Sequence, residues 1–394
     1  MIDLRASHSL LAGLLIAWHT LFVADSHAQG AAIDEPGPVT WTFGGHGKYR
    51  YVHTLIPEDS VFYETGGSRL QDHNLEARLK VSARRGRFDF ETHLQFAAAH
   101  ADSLAVLRGT PGLLLSGVDV INDRRRWFNL THEITNESNK AAVVRLDRLS
   151  MGYTGDKTVF RFGRQAISWG NGLLFTPMDI LNPFDPAAVD KEYKTGDDML
   201  YAQYLQDNGN DVQAVAVVRR NPLNGEVEMD DSSLGIKYHG FWGGKEYDLL
   251  AAEHYGDRIL GLGISTDYSG AIWRADLVWT RTDSENALSA VFGASYSGVV
   301  GEHNWTGILE YFYSGFGQPN GDYSATGLGS NPELLKRLAR GELFNLGRHY
   351  LGGSLTVEMT PLLIVTPNVF INLTDPSALA QLVLTYDWKQ DIQV

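Results

Sequence analysis

From Trp41 to Trp388 the apolar residues of this chain recur at every second position, in runs of about ten separated by turn-forming residues. Leu75, Ala77, Leu79, Val81 and Ala83 alternate with Asn74, Glu76, Arg78, Lys80 and Ser82. Trp273, Ala275, Leu277 and Trp279 alternate with Arg274 and Asp276, and Leu382, Leu384, Tyr386 and Trp388 with Gln381, Thr385 and Asp387. A period of two is that of a strand with one apolar face, which excludes a helical or α/β fold for most of the chain. The apolar faces often end in rings: Trp41 and Phe43, Tyr49 and Tyr51, Trp305 with Tyr311 and Tyr313, Tyr386 and Trp388. Amphipathic rings at both ends of an outward face are what two membrane–water interfaces select. Lipid cannot hydrogen-bond an open sheet edge, so strands that cross it must close on themselves. The expected fold is all-β: a transmembrane antiparallel β-barrel with long extracellular loops and short periplasmic turns.

The expected strands are 41–55, 73–83, 87–100, 140–154, 157–165, 198–206, 211–220 and 232–242, followed by 245–255, 259–267, 271–281, 288–299, 303–314, 347–360, 362–374 and 378–388. These are 16, an even number that returns the chain to its starting side. Lys389 to Val394 reads as a turn and the start of another strand, so a parent barrel of 18 strands, shortened by one hairpin, is a further expectation. Short turns recur at 83–87, 155–157, 207–210, 243–245 and 269–270; the long connections are 56–72, 101–139, 166–196, 221–231 and 315–346.

Arg5, the apolar run Leu10 to Trp18 and the small residues of Ser26-His27-Ala28 have the order of a secretory leader. The chain accordingly divides into a signal peptide at 1–28, a short periplasmic segment at 29–40 and the barrel at 41–394, with the bacterial outer membrane as its destination. Thirty-three Lys and Arg against 47 Asp and Glu leave a formal charge of −14, which argues against nucleic acid as a partner. The absence of Cys removes disulfides, thiolate metal sites and cysteine nucleophiles.

Alternation assigns faces as well as strands. The inward set includes Lys48, Arg50, Arg78, Lys80, Arg145, Arg148, Arg161, Lys237 and Arg274, to which Arg164 is added from its motif; Glu76, Asp89, Glu91, Asp147, Asp248, Asp276 and Glu310 also point inward. At Asp147-Arg148 the pattern slips by one residue, and a bulge there turns both charges inward. The early strands thus carry a basic wall, while acidity collects in loops and turns at Asp179, Asp185, Asp190, Asp197, Asp198, Asp230 and Asp231. The loop 166–196 is rich in Gly, Pro and Asn yet holds Leu173, Leu174, Phe175, Met178, Ile180, Leu181 and Phe184. A solvated loop has no use for so much apolar surface, so it is expected to pack into the barrel mouth as a constriction, with Asp179, Asn182, Asp185, Asp190 and Lys191 as its polar residues. Arg124-Arg125-Arg126-Trp127 in 101–139 is a second candidate, for lipid phosphate or an anionic solute at the mouth.

Gly163-Arg164-Gln165, then Trp169-Gly170, then Asp179-x-x-Asn182-Pro183 resembles the alginate-export-type outer-membrane barrels and their porin-like relatives. The resemblance implies a barrel of roughly 16–18 strands that passes solutes across the outer membrane. For the exporters it implies passage of anionic polysaccharide along an Arg/Lys-lined pore. Arg164 and Gln165 are the positions of that motif.

No G-x-S-x-G elbow, H-E-x-x-H motif or phosphate-binding glycine loop occurs. The expectation is therefore a channel and not an enzyme, without cofactor or metal, embedded in outer-membrane lipid and passing a small hydrophilic, anionic solute. The alternatives are an exporter component for an anionic polysaccharide working with periplasmic partners, and a barrel hydrolase. Oligomeric state, the solute, the direction of transport and any periplasmic partner stay open at this stage.

Overall fold

The computed structural model describes residues 37–56, 58, 63–109, 122–188 and 193–394, together with the backbone of 12–22. One sheet of 19 strands runs through it. Its members are β1 (Ala12–Phe22), β2 (Thr40–Leu55), β3 (Arg69–Arg85), β4 (Phe88–Ala101), β5 (Thr131–Glu137), β6 (Lys140–Thr154), β7 (Thr158–Gln165), β8 (Asp197–Leu205) and β9 (Asp211–Val217). They continue as β10 (Ser233–Trp242), β11 (Lys245–His254), β12 (Asp257–Tyr268), β13 (Ala271–Arg281), β14 (Asn286–Val300), β15 (His303–Tyr313), β16 (His349–Thr360), β17 (Leu363–Asn372), β18 (Ser377–Lys389) and β19 (Ile392–Gln393).

Every expected strand is present; the largest departure is β3, which begins at Arg69 and not at 73. From β6 onward each strand pairs antiparallel with its sequence neighbours. β4 pairs with β6, because β5 lies along the other edge of β6, beside residues 140–145 and beyond the end of β7. The ring continues through β1, which ladders with β2 from Ala12↔Leu55 to Phe22↔Gly45. On its other side β1 pairs only at His19↔Gln393 and Thr20↔Ile392, so the seam beside β18 lacks a full-length ladder. Residues 12–22 belong to the segment expected as a leader; residues 29–36 of the expected periplasmic segment lie outside the described residues.

The wall inverts the usual soluble arrangement. Leu75, Leu79, Leu94, Leu200, Leu260, Leu277, Leu309 and Leu382 are exposed, whereas Arg78, Asp147, Asp248, Asp276 and Glu310 are buried. A continuous apolar exterior around a charged interior is stable only where hydrocarbon replaces water outside. Rings mark the short-turn end of this band: Trp41, Phe88, Trp242 and Trp388 stand 56%, 63%, 79% and 53% exposed. The slip in β6 is a bulge, with His93 opposite Arg148 and Leu94 opposite Leu146, which leaves Asp147 as the extra residue. Both Asp147 and Arg148 are buried beside the inward-facing Arg78.

The long connections gather at the other end. In 315–346 a helix, Pro332–Arg340, starts at Asn331, whose side chain accepts from the Leu334 N–H at 3.2 Å, and stops at Gly341, whose φ of 72° suits a residue without Cβ. Its apolar side packs Leu334 and Leu338 against Tyr323 and Leu328. No helix among the described residues is long and apolar enough to cross a membrane. The two largest apolar clusters lie inside the barrel, where the loop after β7 meets the wall.

Candidate functional site

That loop is built into the interior by matched chemistry on both sides. Trp169, Met178, Ile180 and Leu181 pack against Met199, Val215, Val217, Leu250, Ile259 and Val278 of β8, β9 and β11–β13. Further on, Leu174 and Phe175 pack against Val291, Phe312, Tyr350 and Phe370 of β14–β17. The Phe175 ring stacks on Phe312 at 5.0 Å between centroids. Between the two clusters the backbone binds carboxylates of the wall. Asp276 Oδ2 accepts from the N–H groups of Asn171 (2.8 Å) and Gly172 (3.2 Å), while Asn171 Nδ2 donates to Asp276 Oδ1 (2.8 Å) and Asp248 Oδ2 (3.1 Å). Glu310 then accepts three successive N–H groups, from Leu173 (2.7 Å), Leu174 (2.8 Å) and Phe175 (3.0 Å). Consecutive N–H groups in a tight curve form an anion-binding concavity, here filled by the chain's own carboxylate.

The motif residues have local reasons. Gly163 has φ 120°, and a Cβ there would sit 2.1 Å from the Leu149 carbonyl oxygen of β6. Gly170 has φ 101°, and a Cβ would lie 3.0 Å from Asp276 Oδ2. Asp179 and Lys194 pair at 2.6 Å where the two limbs of the loop meet, and Lys194 Nζ also donates to Ser168 Oγ at 3.2 Å. Burial raises the Asp179 carboxyl to about 6 despite Lys194, and burial likewise lowers Lys194. Asn182 takes a left-handed φ of 52°, and Asp185 Oδ1 accepts from the Ala187 N–H at 2.9 Å. Gln381 of β18 donates to the Ala187 carbonyl at 2.8 Å. Asp190 and Lys191 lie outside the described residues.

The loop returns against the basic wall through Tyr193. Its ring lies 4.2 Å from Arg78 Cζ, 4.6 Å from Lys80 Nζ and 5.7 Å from Lys48 Nζ, all on β2 and β3. Such cation–π contacts favour Tyr at this position. Arg78 also pairs with Asp147 at 2.5 Å and Glu76 at 3.1 Å, and Arg148 pairs with Asp147 at 3.1 Å. Arg145 donates to Gln95 at 2.6 Å, and Arg50, on the face of Lys48, is exposed. Arg161 shares a recess with Arg148. On the far wall Lys237 pairs with Asp248 at 3.1 Å, and Arg274 donates to Ser295 Oγ at 2.8 Å.

Arg164 departs from the sequence expectation. Gly163 and Gln165 continue the inward face, and Arg164 turns the other way, towards the exterior, where it would meet lipid unless covered. The segment 122–130 covers it. Arg164 pairs with Asp198 at 2.8 Å and Asp123 at 3.1 Å and donates to the Phe128 carbonyl at 2.7 Å, leaving 1% of it exposed. Burial pushes the Asp123 carboxyl up, but Arg164 and Arg126 outweigh it and hold Asp123 below its ordinary value. Arg164 therefore clamps an extracellular segment onto the outer wall. Asp197 and Asp198, expected among solvated loop acids, are likewise buried, at the start of β8. Of the Arg124–Arg126 run, Arg126 pairs with Asp123 at 2.7 Å; residues 113–115 lie outside the described residues.

Sequence reading placed Asp276 and Glu310 in the interior but missed their roles as anchors, and it missed Tyr193. It also offered no catalytic set, whereas the fold aligns Ser233 Oγ with His254 Nδ1 at 2.7 Å and His254 Nε2 with Glu342 Oε1 at 3.4 Å. Arg219 donates to the same Ser233 Oγ at 2.6 Å and pairs with Asp197 at 2.6 Å. All of Ser233, His254 and Arg219 are buried, and the network ties β10 and β11 to the loop 315–346.

No protein-family model matches the sequence, and no curated protein matches it either. Among solved structures the chain is similar to the outer-membrane protein OmpT of Vibrio cholerae at 8% identity, over 91% of this chain and 97% of that one, with a TM-score of 0.42. An anion-selective porin from Comamonas acidovorans matches at 12% identity, over 90% and 97%, with a TM-score of 0.44. OmpF of Salmonella typhi in complex with daunomycin matches at 11% identity, over 94% and 97%, with a TM-score of 0.46. Likenesses at this level carry no argument for the chain's function, which rests on its own interior.

Proposed function

We propose that the protein is an outer-membrane channel for small hydrophilic anions, narrowed by the loop 166–196. The observation that carries this reading is the loop crossing the interior from Asp276 and Glu310 to the Lys48–Arg78–Lys80 wall, where Tyr193 meets it. An anion in the lumen exchanges part of its hydration shell for guanidinium and ammonium donors. The carboxylates interleaved among them keep that attraction weak enough for release. On the far wall the carboxylates Asp276 and Glu310 are turned onto N–H groups of the loop, which stabilise their charge without removing it. A polymer threading the same lumen must displace a loop held at three walls, whereas a small solute passes beside it, so the small-solute reading is preferred to polysaccharide export. Residues 1–28 serve in this reading as the leader that takes the chain to the periplasm.

The test is ion selectivity of the refolded full chain in planar bilayers. Anion preference is expected, and Arg50→Glu combined with Arg161→Glu, both on the exposed part of the inward face, should reverse it. Absence of conductance, or cation preference unchanged by the double variant, refutes the reading.

A further inference from the structure

Below the start of the loop, the inner faces of β4 and β6–β8 enclose a recess of 480 Å³, bounded above by Ala166 and Ile167. This size is in the range of small-molecule sites, about 300–1,000 Å³. Its lining combines an arginine with several hydroxyls and one carboxylate, Glu91, which lies within electrostatic range of Arg161. Arg78, Arg148 and Lys237 are committed to carboxylates, but the Arg161 guanidinium has no hydrogen-bond or ion-pair partner among the described residues. The same is true of the hydroxyls of Ser150, Thr154 and Tyr201, which line the recess with it. One planar fork of donors and three hydroxyls are thus turned into one space. Glu91, paired with His93 at 3.1 Å, contributes a carboxylate to the same lining.

We infer that this recess is a solute-binding subsite for a small monocarboxylate carrying several hydroxyl groups. The inference deepens the channel reading and rests on it for its place in transport. The guanidinium fork matches a carboxylate in bidentate geometry. Ser, Thr and Tyr hydroxyls both donate and accept, so they match a polyhydroxylated chain better than an alkyl one. The Glu91 carboxylate disfavours a second negative charge in the ligand, which selects a monoanion over a dianion. An uncharged sugar has the hydroxyl partners but leaves the fork unmatched; an alkyl acid has the reverse deficiency.

The experiment uses the full chain in detergent, titrated calorimetrically with gluconate, propionate, glucose and glucarate, followed by chloride current in bilayers with gluconate added. Gluconate is expected to bind at least tenfold more tightly than the other three and to reduce the chloride current. Loss of a charge-assisted pair in Arg161→Gln should weaken gluconate by about tenfold to a hundredfold, and Tyr201→Phe by a smaller factor. Propionate, glucose or glucarate binding as tightly as gluconate overturns the assignment, as does an unchanged gluconate affinity in Arg161→Gln. If gluconate binds with this selectivity to a protein that conducts nothing, the subsite stands and the channel reading falls. If the protein is anion-selective but indifferent to gluconate, the channel reading stands and the subsite falls.

Discussion

Glu310 offers the sharpest way to separate a loop that sets the passage from one that merely rests on the rim. Its carboxylate is 2% exposed and accepts the N–H groups of Leu173, Leu174 and Phe175. Hydrogen bonds to a charged group contribute about 1.5–3 kcal/mol each. Water that reaches the vacated site from the lumen recovers part of this, so about 3 kcal/mol is a lower working figure for Glu310→Ala. At about 1.4 kcal/mol per factor of ten, the equilibrium between docked and undocked loop shifts more than a hundredfold. Glu310→Gln keeps one oxygen, enough for Leu174 and Phe175, but places an amide N–H₂ towards the Leu173 N–H, so its effect should be intermediate.

Because the chain contains no Cys, a single Leu174→Cys reports docking directly through maleimide labelling. Leu174 is 7% exposed, and labelling should be slow with Glu310 intact, faster in Glu310→Gln and fastest in Glu310→Ala. Single-channel conductance without the added Cys should rise in the same order. Unchanged labelling and conductance in Glu310→Ala would mean that the apolar cluster alone fixes the loop. Faster labelling without a rise in conductance would mean that the loop moves but does not set the passage.

Arg164→Ala should destabilise the protein by about 3–5 kcal/mol, the cost of breaking a buried ion cluster, while leaving ion selectivity unchanged; altered selectivity would return Arg164 to the lumen. The two extracellular loops should respond to pH in opposite senses. Asp179 is raised to about 6, so its contribution is complete below the ordinary aspartate range and is lost as pH rises through 6. Glu333 is pushed up by burial, but hydrogen bonds from Lys336 and Arg337 bring it down to about 2, so its contribution is present above the ordinary glutamate range and is lost as pH falls through 2. Hydrogen-exchange protection, corrected for intrinsic rates, should show each dependence, and Asp179→Asn should abolish the first. Mass spectrometry of the membrane-inserted protein should find an N-terminus at Gln29; an intact Met1 would assign Ala12–Phe22 to the wall in place of a leader.

The wall was legible because its period is geometric: a side chain two residues along a strand must return to the same face. Even the Asp147-Arg148 slip could be read, since two adjacent charges on a strand with an apolar face can both turn inward only through an extra residue. Arg164 fails the same reasoning for an instructive cause. Its parity points outward, and it takes Asp198 from β8 and Asp123 from a segment 41 residues earlier to make a buried charge tolerable there. Parity states which side of the sheet a residue faces, not what covers that side. The loop shows the complementary limit. Its apolar content marked it as buried, but each strand's alternation treats Asp276 and Glu310 as ordinary lumen charges. Only the tertiary arrangement of the sheet and loop brings Asn171 to one and Leu173 to the other, across 105 and 137 residues of chain. Selectivity belongs to this non-local layer. The net charge of the chain is acidic, yet two of its interior carboxylates are turned onto N–H groups of the loop, while Arg161 and its neighbouring hydroxyls face a recess. What an anion meets is therefore set by which charges the loop has used, a quantity that pairing determines and composition does not.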